Sequence, residues 1–412
     1  MRQVFTNIKQ LLQIRSNKIR SVTGKSMREL PLIENAFLCI ENDLISDFGE
    51  MNSFIQKKND KVIDVSGKLI LPSWCDSHSH VVYAGDRSSE FVDRINGLSY
   101  QEIANRGGGI LNSAKKLQNT PKELLFNQSM SRIKSLIKLG TGALEIKSGY
   151  GLTLDSELKM LRVIRKISNN TPIKIKSTFL GAHAIPEQYK NDKSGYLDLI
   201  IDEMLPKINN ESLADFIDVF CEKGYFNLND TEIILNAAKK YGLVPKIHVN
   251  QFNSFGGVDL AVKYDAISVD HLEEISEKDI QSLKDSNTIA VALPGCSFYL
   301  EIPYTNARKI IDSGLPLALA TDFNPGSAPS GNMNFVVSLA CIKMKMSPEE
   351  AINAATINGA YAMGISENYG SIGIGKKANL IITKEMDSYE KIPYYFGESP
   401  ISEVILNGKY YC

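Results

Sequence analysis

The sequence predicts an α/β chain: a parallel (β/α)8 TIM barrel carrying a small β-sandwich domain built from both termini. Three observations predict it. Short apolar, β-branched runs alternate eight times with longer amphipathic stretches, the pattern of parallel strands joined by helices. All five histidines stand at the ends of such runs. The two chain ends differ in texture, with shorter alternating runs and closely spaced turns. An open doubly wound sheet also alternates, but it usually carries a glycine-rich phosphate turn after its first strand. The one glycine cluster, "RGGGI" at 106–110, has neither a strand before it nor a Lys-Ser/Thr pair after it. It reads as a loop over a pocket.

The expected strands are "KLILPSW" (68–74), "GALEIK" (142–147), "IKIKSTFL" (173–180), "FIDVF" (216–220), "LVPKIHV" (243–249), "AISVD" (266–270), "TIAVAL" (288–293) and "LPLALA" (315–320). Between them lie helical segments such as "SELKMLRVIRKIS", "TEIILNAAKKYG" and "NARKIIDSG". Several of these end in Gly or Asn, as a C-cap does. The flanks "NAFLCIENDLISDFGE", "GSIGIGKKANLIIT" and "ISEVILNGKYY" are too short for separate sheets. The expected division is therefore 1–66 plus 367–412 for the composite sandwich and 67–366 for the barrel.

Totals narrow the function classes. A length of 412 residues suits a large barrel with an accessory domain. Lys+Arg 46 against Asp+Glu 47 leaves no basic footprint for nucleic acid and no polybasic membrane patch. No run approaches a spanning helix, and the charged N-terminal stretch lacks an apolar signal core. Six scattered cysteines form no CxxC pair, which fits a reducing cytoplasm.

In a (β/α)8 barrel the chemistry sits beyond the strand C-termini. There the chain places His78, His80 and Arg87, then Tyr150, His183, Glu222, His248 with Gln251, His271, and Asp322 with Asn324 and Ser327. In "SHSH" the two histidines lie two apart, so a strand turns both rings to one face. Two such rings alone suit a cation only moderately well. With His248, His271 and Asp322 the set suits Zn²⁺ or iron and leaves a position for water. A water held there has its pKa lowered toward about 7.

The pattern resembles the metal-dependent amidohydrolase superfamily. "SHSHVVYAGDR", "EIKSGYGL", "FLGAHAIP", "DVFCEKGYF", "DHLE" and "TDFNPGS" resemble, more narrowly, its imidazolonepropionases of histidine degradation. The resemblance covers nearly the whole chain and implies one Zn²⁺ or Fe³⁺ per subunit, held by His78, His80, His248 and Asp322. It implies hydrolysis of the ring amide of 4-imidazolone-5-propanoate to N-formimino-L-glutamate, in a cytoplasmic homodimer. Asp322 and His271 would carry the proton work, with His271 open between catalytic group and further ligand. Arg87 and Tyr150 would hold the carboxylate tail, His183 and Gln251 the ring, and Asn324, Gly326 and Ser327 substrate and product. Tyr100 would be a second tail contact but stands outside this set. Glu222 stays open between support of a histidine and a structural part, and Cys75 reads as packing. Two other readings stand beside this one: an aminohydrolase of purines or pyrimidines, which has no need of Arg87 for a carboxylate, and a catalytically inactive binding barrel without metal.

Overall fold

The structure, a computed structural model, describes residues 2–98, 102, 106 and 108–411; Tyr100 lies outside them. The N-terminal strands are β1 (Arg2–Leu12), β2 (Leu32–Glu41), β3 (Leu44–Glu50), β4 (Lys61–Asp64) and β5 (Lys68–Pro72). The barrel strands follow as β6 (Trp74–Asp76), β7 (Thr141–Lys147), β8 (Lys174–Ala182), β9 (Phe216–Cys221), β10 (Val244–Val249), β11 (Ser268–His271), β12 (Ile289–Ala292) and β13 (Leu317–Leu319). The C-terminal strands are β14 (Leu380–Glu385), β15 (Ile401–Leu406) and β16 (Lys409–Tyr410).

Strands β6 to β13 pair in parallel, each with its neighbour in sequence. β7 and β9 are buried at every residue, as strands covered on both faces must be. The ring closes through a seam between the ends of β13 and β6. Asp76 accepts from the backbone N–H and hydroxyl of Thr321, at 3.0 and 2.6 Å. Asp322 N–H donates to His78 O at 3.0 Å, and His80 N–H donates to Phe323 O at 2.9 Å. This seam sets residues 78–80 beside 322.

The termini join in one mixed sheet of order β16-β15-β14-β5-β1-β2-β3, with β4 on β1. It curls until β3 and its turn bond back to the segment before β14: Ile45 N–H donates to Lys376 O, and Ala378 N–H to Asp43 O. The enclosed core includes Phe5, Leu38, Ile40, Ile70, Leu380 and Ile405. This curled sheet is the small β domain expected from the two chain ends.

The run 68–74, expected as the first barrel strand, divides between the sheets. Lys68–Pro72 pairs with β1 and β14 in the terminal sheet, and only Trp74–Asp76 enters the barrel. Ser73 between them donates its N–H to Asn379 O at 2.9 Å, so the chain changes sheet at that residue. Residues 68–72 therefore lie with the terminal sheet and not with the barrel. Apolar character alone does not separate two consecutive buried strands.

Candidate active site and metal centre

The seam and the strand ends bring His78, His80, His248, His271 and Asp322 together. All five are buried. His78 Nε2 lies 3.3 Å from His80 Nε2. Asp322 Oδ1 lies 3.5 Å from the first and 3.4 Å from the second. Ligand atoms about 2.1 Å from a shared tetrahedral centre stand about 3.4 Å apart, so these three donors fit one cation. His248 packs on His78 at 4.4 Å between ring centroids. His78, His248 and His271 also bring one donor atom each within 4.8 Å of one another.

The histidines are set as ligands by what lies beneath them. His78 Nδ1–H donates to Asp270 Oδ2 at 2.7 Å, and His248 Nδ1–H to Asp218 Oδ2 at 2.9 Å. Each contact fixes the proton on Nδ1 and turns a bare Nε2 toward the centre. Burial pushes the His78 imidazolium well below its usual range and that of His248 down to about 4, so both rings are neutral donors near pH 7. Below them lies Lys147, its Nζ 2.9 Å from Glu145 Oε1 and 2.9 Å from Asp218 Oδ2. Burial alone would raise the Asp218 carboxyl, but His248 and Lys147 hold it far below the usual range. With its ammonium taken by carboxylates, Lys147 is not placed as a bridge between two metals.

Two of these residues and one neighbour adopt backbone conformations that L-residues rarely hold: His271 at φ 89°, Asp322 at φ 54° and, beside His248, Asn250 at φ 57°. Such strain persists where surrounding packing enforces it, and it clusters at functional sites. Burial lowers the His271 pKa, but Glu273, Asp322 and Asp270 outweigh it and raise the net value.

A cavity of about 350 Å³ opens over the centre. Arg87, Tyr150, His183, Gln251, Asn324, Gly326 and Ser327 all line it. Arg87 is buried; its Nε–H donates to Ser113 Oγ at 2.9 Å, while Nη2 has no hydrogen-bond partner among the described residues. The guanidinium rests against Gly326, where an added Cβ would meet Nη1 at 2.2 Å. His183 Nδ1 lies 3.0 Å from Gly149 O, and its ring stacks on His80 at 5.3 Å. The Nδ1 proton thus goes to the carbonyl, leaving Nε2 as an acceptor. The loop before it is moulded by buried Glu157, which accepts from the N–H groups of Gly149, Gly151 and Leu152. Asn324 spends its side chain on its own loop: Oδ1 accepts from Gly326 and Ser327 N–H at 2.8 and 2.7 Å.

Glu222 does not touch a histidine. Its carboxylate accepts from Phe252 N–H at 2.9 Å and from Asn253 Nδ2 at 3.1 Å, which holds the loop carrying Gln251. Cys75 is buried and its thiol pushed up to about 12 by burial, in keeping with packing. Sequence reasoning missed Asp218, Asp270 and Glu145, and weighed Lys147 only as a bridge between two metals, which it set aside. Their signal was charge inside apolar strand runs: the Asp of "FIDVF", the Asp of "AISVD", the Glu and Lys of "GALEIK".

The chain matches the amidohydrolase family over residues 69–410. It is 63% identical over 409 residues to an imidazolonepropionase of Christiangramia forsetii, covering 99% of this chain and all of that one. It is 40% identical to an imidazolonepropionase of Geobacillus kaustophilus, covering 99% and 98%. Among solved structures, E. coli guanine deaminase superposes with a TM-score of 0.76 at 14% identity over 100% of this chain and 99% of that one, a likeness of fold. The chain belongs to the amidohydrolase family and, within it, to the imidazolonepropionases.

Proposed function

We propose that this chain hydrolyses the ring amide of 4-imidazolone-5-propanoate to N-formimino-L-glutamate, a step of histidine degradation. The observation that carries the substrate is Arg87. A buried guanidinium whose Nη2 has no hydrogen-bond partner among the described residues faces the cavity that holds the histidine cluster. Such a group needs an anion, and a carboxylate satisfies it with parallel N–H bonds. A purine or pyrimidine base, the substrate of the alternative reading, carries no carboxylate for it.

His78, His80, His248 and Asp322 would hold one Zn²⁺ or iron ion. Bound there, the ion supplies a nucleophile at neutral pH by lowering the pKa of a water. Asp322 accepts the proton of that attacking water and hands it to the ring nitrogen that leaves. His271, protonated more readily than an ordinary histidine, donates to the carbonyl oxygen as charge develops on it. Arg87 and Tyr150 fix the tail carboxylate. His183 Nε2 and Gln251 bond the ring N–H and N atoms, and Asn324 holds the Asp322–Ser327 loop in shape. The sandwich-like sheet from the termini and the barrel form two domains, and the working form is a cytoplasmic homodimer; the family resemblance is what supports these last readings.

Turnover measured side by side on the imidazolone, guanine and cytosine tests the substrate. Hydrolysis of the first alone is expected, and deamination of a base without it would overturn the proposal. Elemental analysis of protein prepared without chelator is expected to give about one metal per chain. Well under one, with none taken up on reconstitution, favours the inactive barrel.

A further inference from the structure

Beside the proposed centre, with His271 itself lining the cavity, lies a second set of donors that the proposed reaction leaves partly unused. His271, Glu273 and Cys296 each bring one ligand atom within 4.8 Å of the other two, and all three are buried. His271 Nδ1 and Glu273 Oε1 are 3.4 Å apart. Glu273 Oε2 is buried without a hydrogen-bond partner among the described residues, although the side chain is only 1% exposed. An orphaned carboxylate oxygen in such a place needs a counter-charge or a donor. The Cys296 thiol meets Gln251 Nε2 at 3.5 Å and also bonds with the side chains of Ser327 and Asp322. Ser297 Oγ, 3.4 Å from Glu273 Oε1, is the neighbouring polar group.

We propose that His271, Glu273 and Cys296 form a second cation site, distinct from the centre of His78, His80, His248 and Asp322 and selective for thiophilic divalent ions such as Zn²⁺, Co²⁺ or Cd²⁺. One nitrogen, one carboxylate oxygen and one sulfur are the borderline-to-soft donor set such ions take, and hard Mg²⁺ or Ca²⁺ avoid. On binding, the S–H bond of Cys296 and the Nδ1–H bond of His271 break, both protons leave to solvent, and sulfur–metal and nitrogen–metal bonds form; no oxidation is involved. His271 then gives its Nδ1 lone pair to the ion and no longer serves the substrate. The site is therefore inhibitory: the ion that activates the enzyme at one equivalent blocks it in excess. This consequence rests on the catalytic part proposed for His271; the site itself does not.

Titration of the metal-free full chain with Co²⁺, followed by absorbance and by bound metal, tests the site. Two equivalents are expected, the first without and the second with a sulfur-to-cobalt charge-transfer band in the near ultraviolet. Cys296→Ser is expected to take one equivalent and show no band, and Glu273→Gln to lose the second equivalent at the same Co²⁺ concentration. Excess Zn²⁺ is expected to inhibit the wild type, with relief in Cys296→Ser. Saturation at one band-free equivalent in the wild type overturns the second site, whatever the variants do. So does a band that survives in Cys296→Ser. The band-free first equivalent reads the His78 centre separately, so its loss strikes the proposed metal centre and not this site.

Discussion

Replacing Lys147 with methionine removes one charge from the barrel interior and keeps most of the side-chain volume. The ammonium has two carboxylate contacts at 2.9 Å, to Glu145 and Asp218, and a third at 3.7 Å to Asp270. At an effective dielectric constant of about 20, each 2.9 Å contact is worth about 6 kcal/mol of attraction. Desolvation of several kcal/mol per ion offsets most of it. In the variant, among the described residues, Glu145, Asp218 and Asp270 keep only Lys246, 3.8 Å from Asp270, as a lysine or arginine in contact. Breaking a buried pair in this way costs about 3–5 kcal/mol. The damage also reaches the centre, because Asp218 and Asp270 orient His248 and His78. Disturbing such outer partners lowers metal affinity about 10–100-fold. Denaturant unfolding of the metal-free proteins reads the first effect, and Zn²⁺ competition against a chelator reads the second. The sign with pH follows from the charges. The carboxylates repel one another while ionised, so the deficit is full near neutral pH and shrinks as acid protonates them. A Lys147→Met protein within about 1 kcal/mol of wild type, with unchanged Zn²⁺ affinity, would refute the account of this network.

Arg87→Met removes the carboxylate clamp; a charge-assisted pair of about 1.5–3 kcal/mol predicts a 10–150-fold rise in KM with kcat little changed, and near-wild-type steady-state kinetics removes the clamp. Gly326→Ala places a Cβ where Arg87 Nη1 now lies, so it should raise KM in the same direction with little loss of thermal stability, and the Arg87→Met/Gly326→Ala pair should be less than additive; additive effects would show that Gly326 acts by another route. The metal-free protein should lose stability in mild acid. An unfolded histidine titrates near 6.5 and His248 at about 4. Its folded pKa lies below the unfolded one, so its contribution is complete above about 6.5 and falls by up to about 3 kcal/mol as pH drops to about 4; a flat denaturation midpoint across that window contradicts the buried neutral ring.

Much of this molecule can be read without coordinates. Seven of the eight barrel strands lie within about two residues of their apolar runs, because a parallel strand buried on both faces must be apolar along its length. The histidines declared the active face because polar groups at strand C-termini are exposed to a pocket in this architecture. The period of two in "SHSH" put both rings on one face. Other features are decided only through space. Lys68–Pro72 leaves the barrel for the terminal sheet because of partners more than 300 residues away in sequence. Asp218, Asp270 and Lys147 look like flaws in apolar strands until the strands pair side by side and their charges meet. Glu222 turns to the Phe252 loop rather than to a ring. Sequence period fixes which face a side chain takes, but the neighbour it meets across that face depends on the register and closure of the barrel, which are properties of the folded chain.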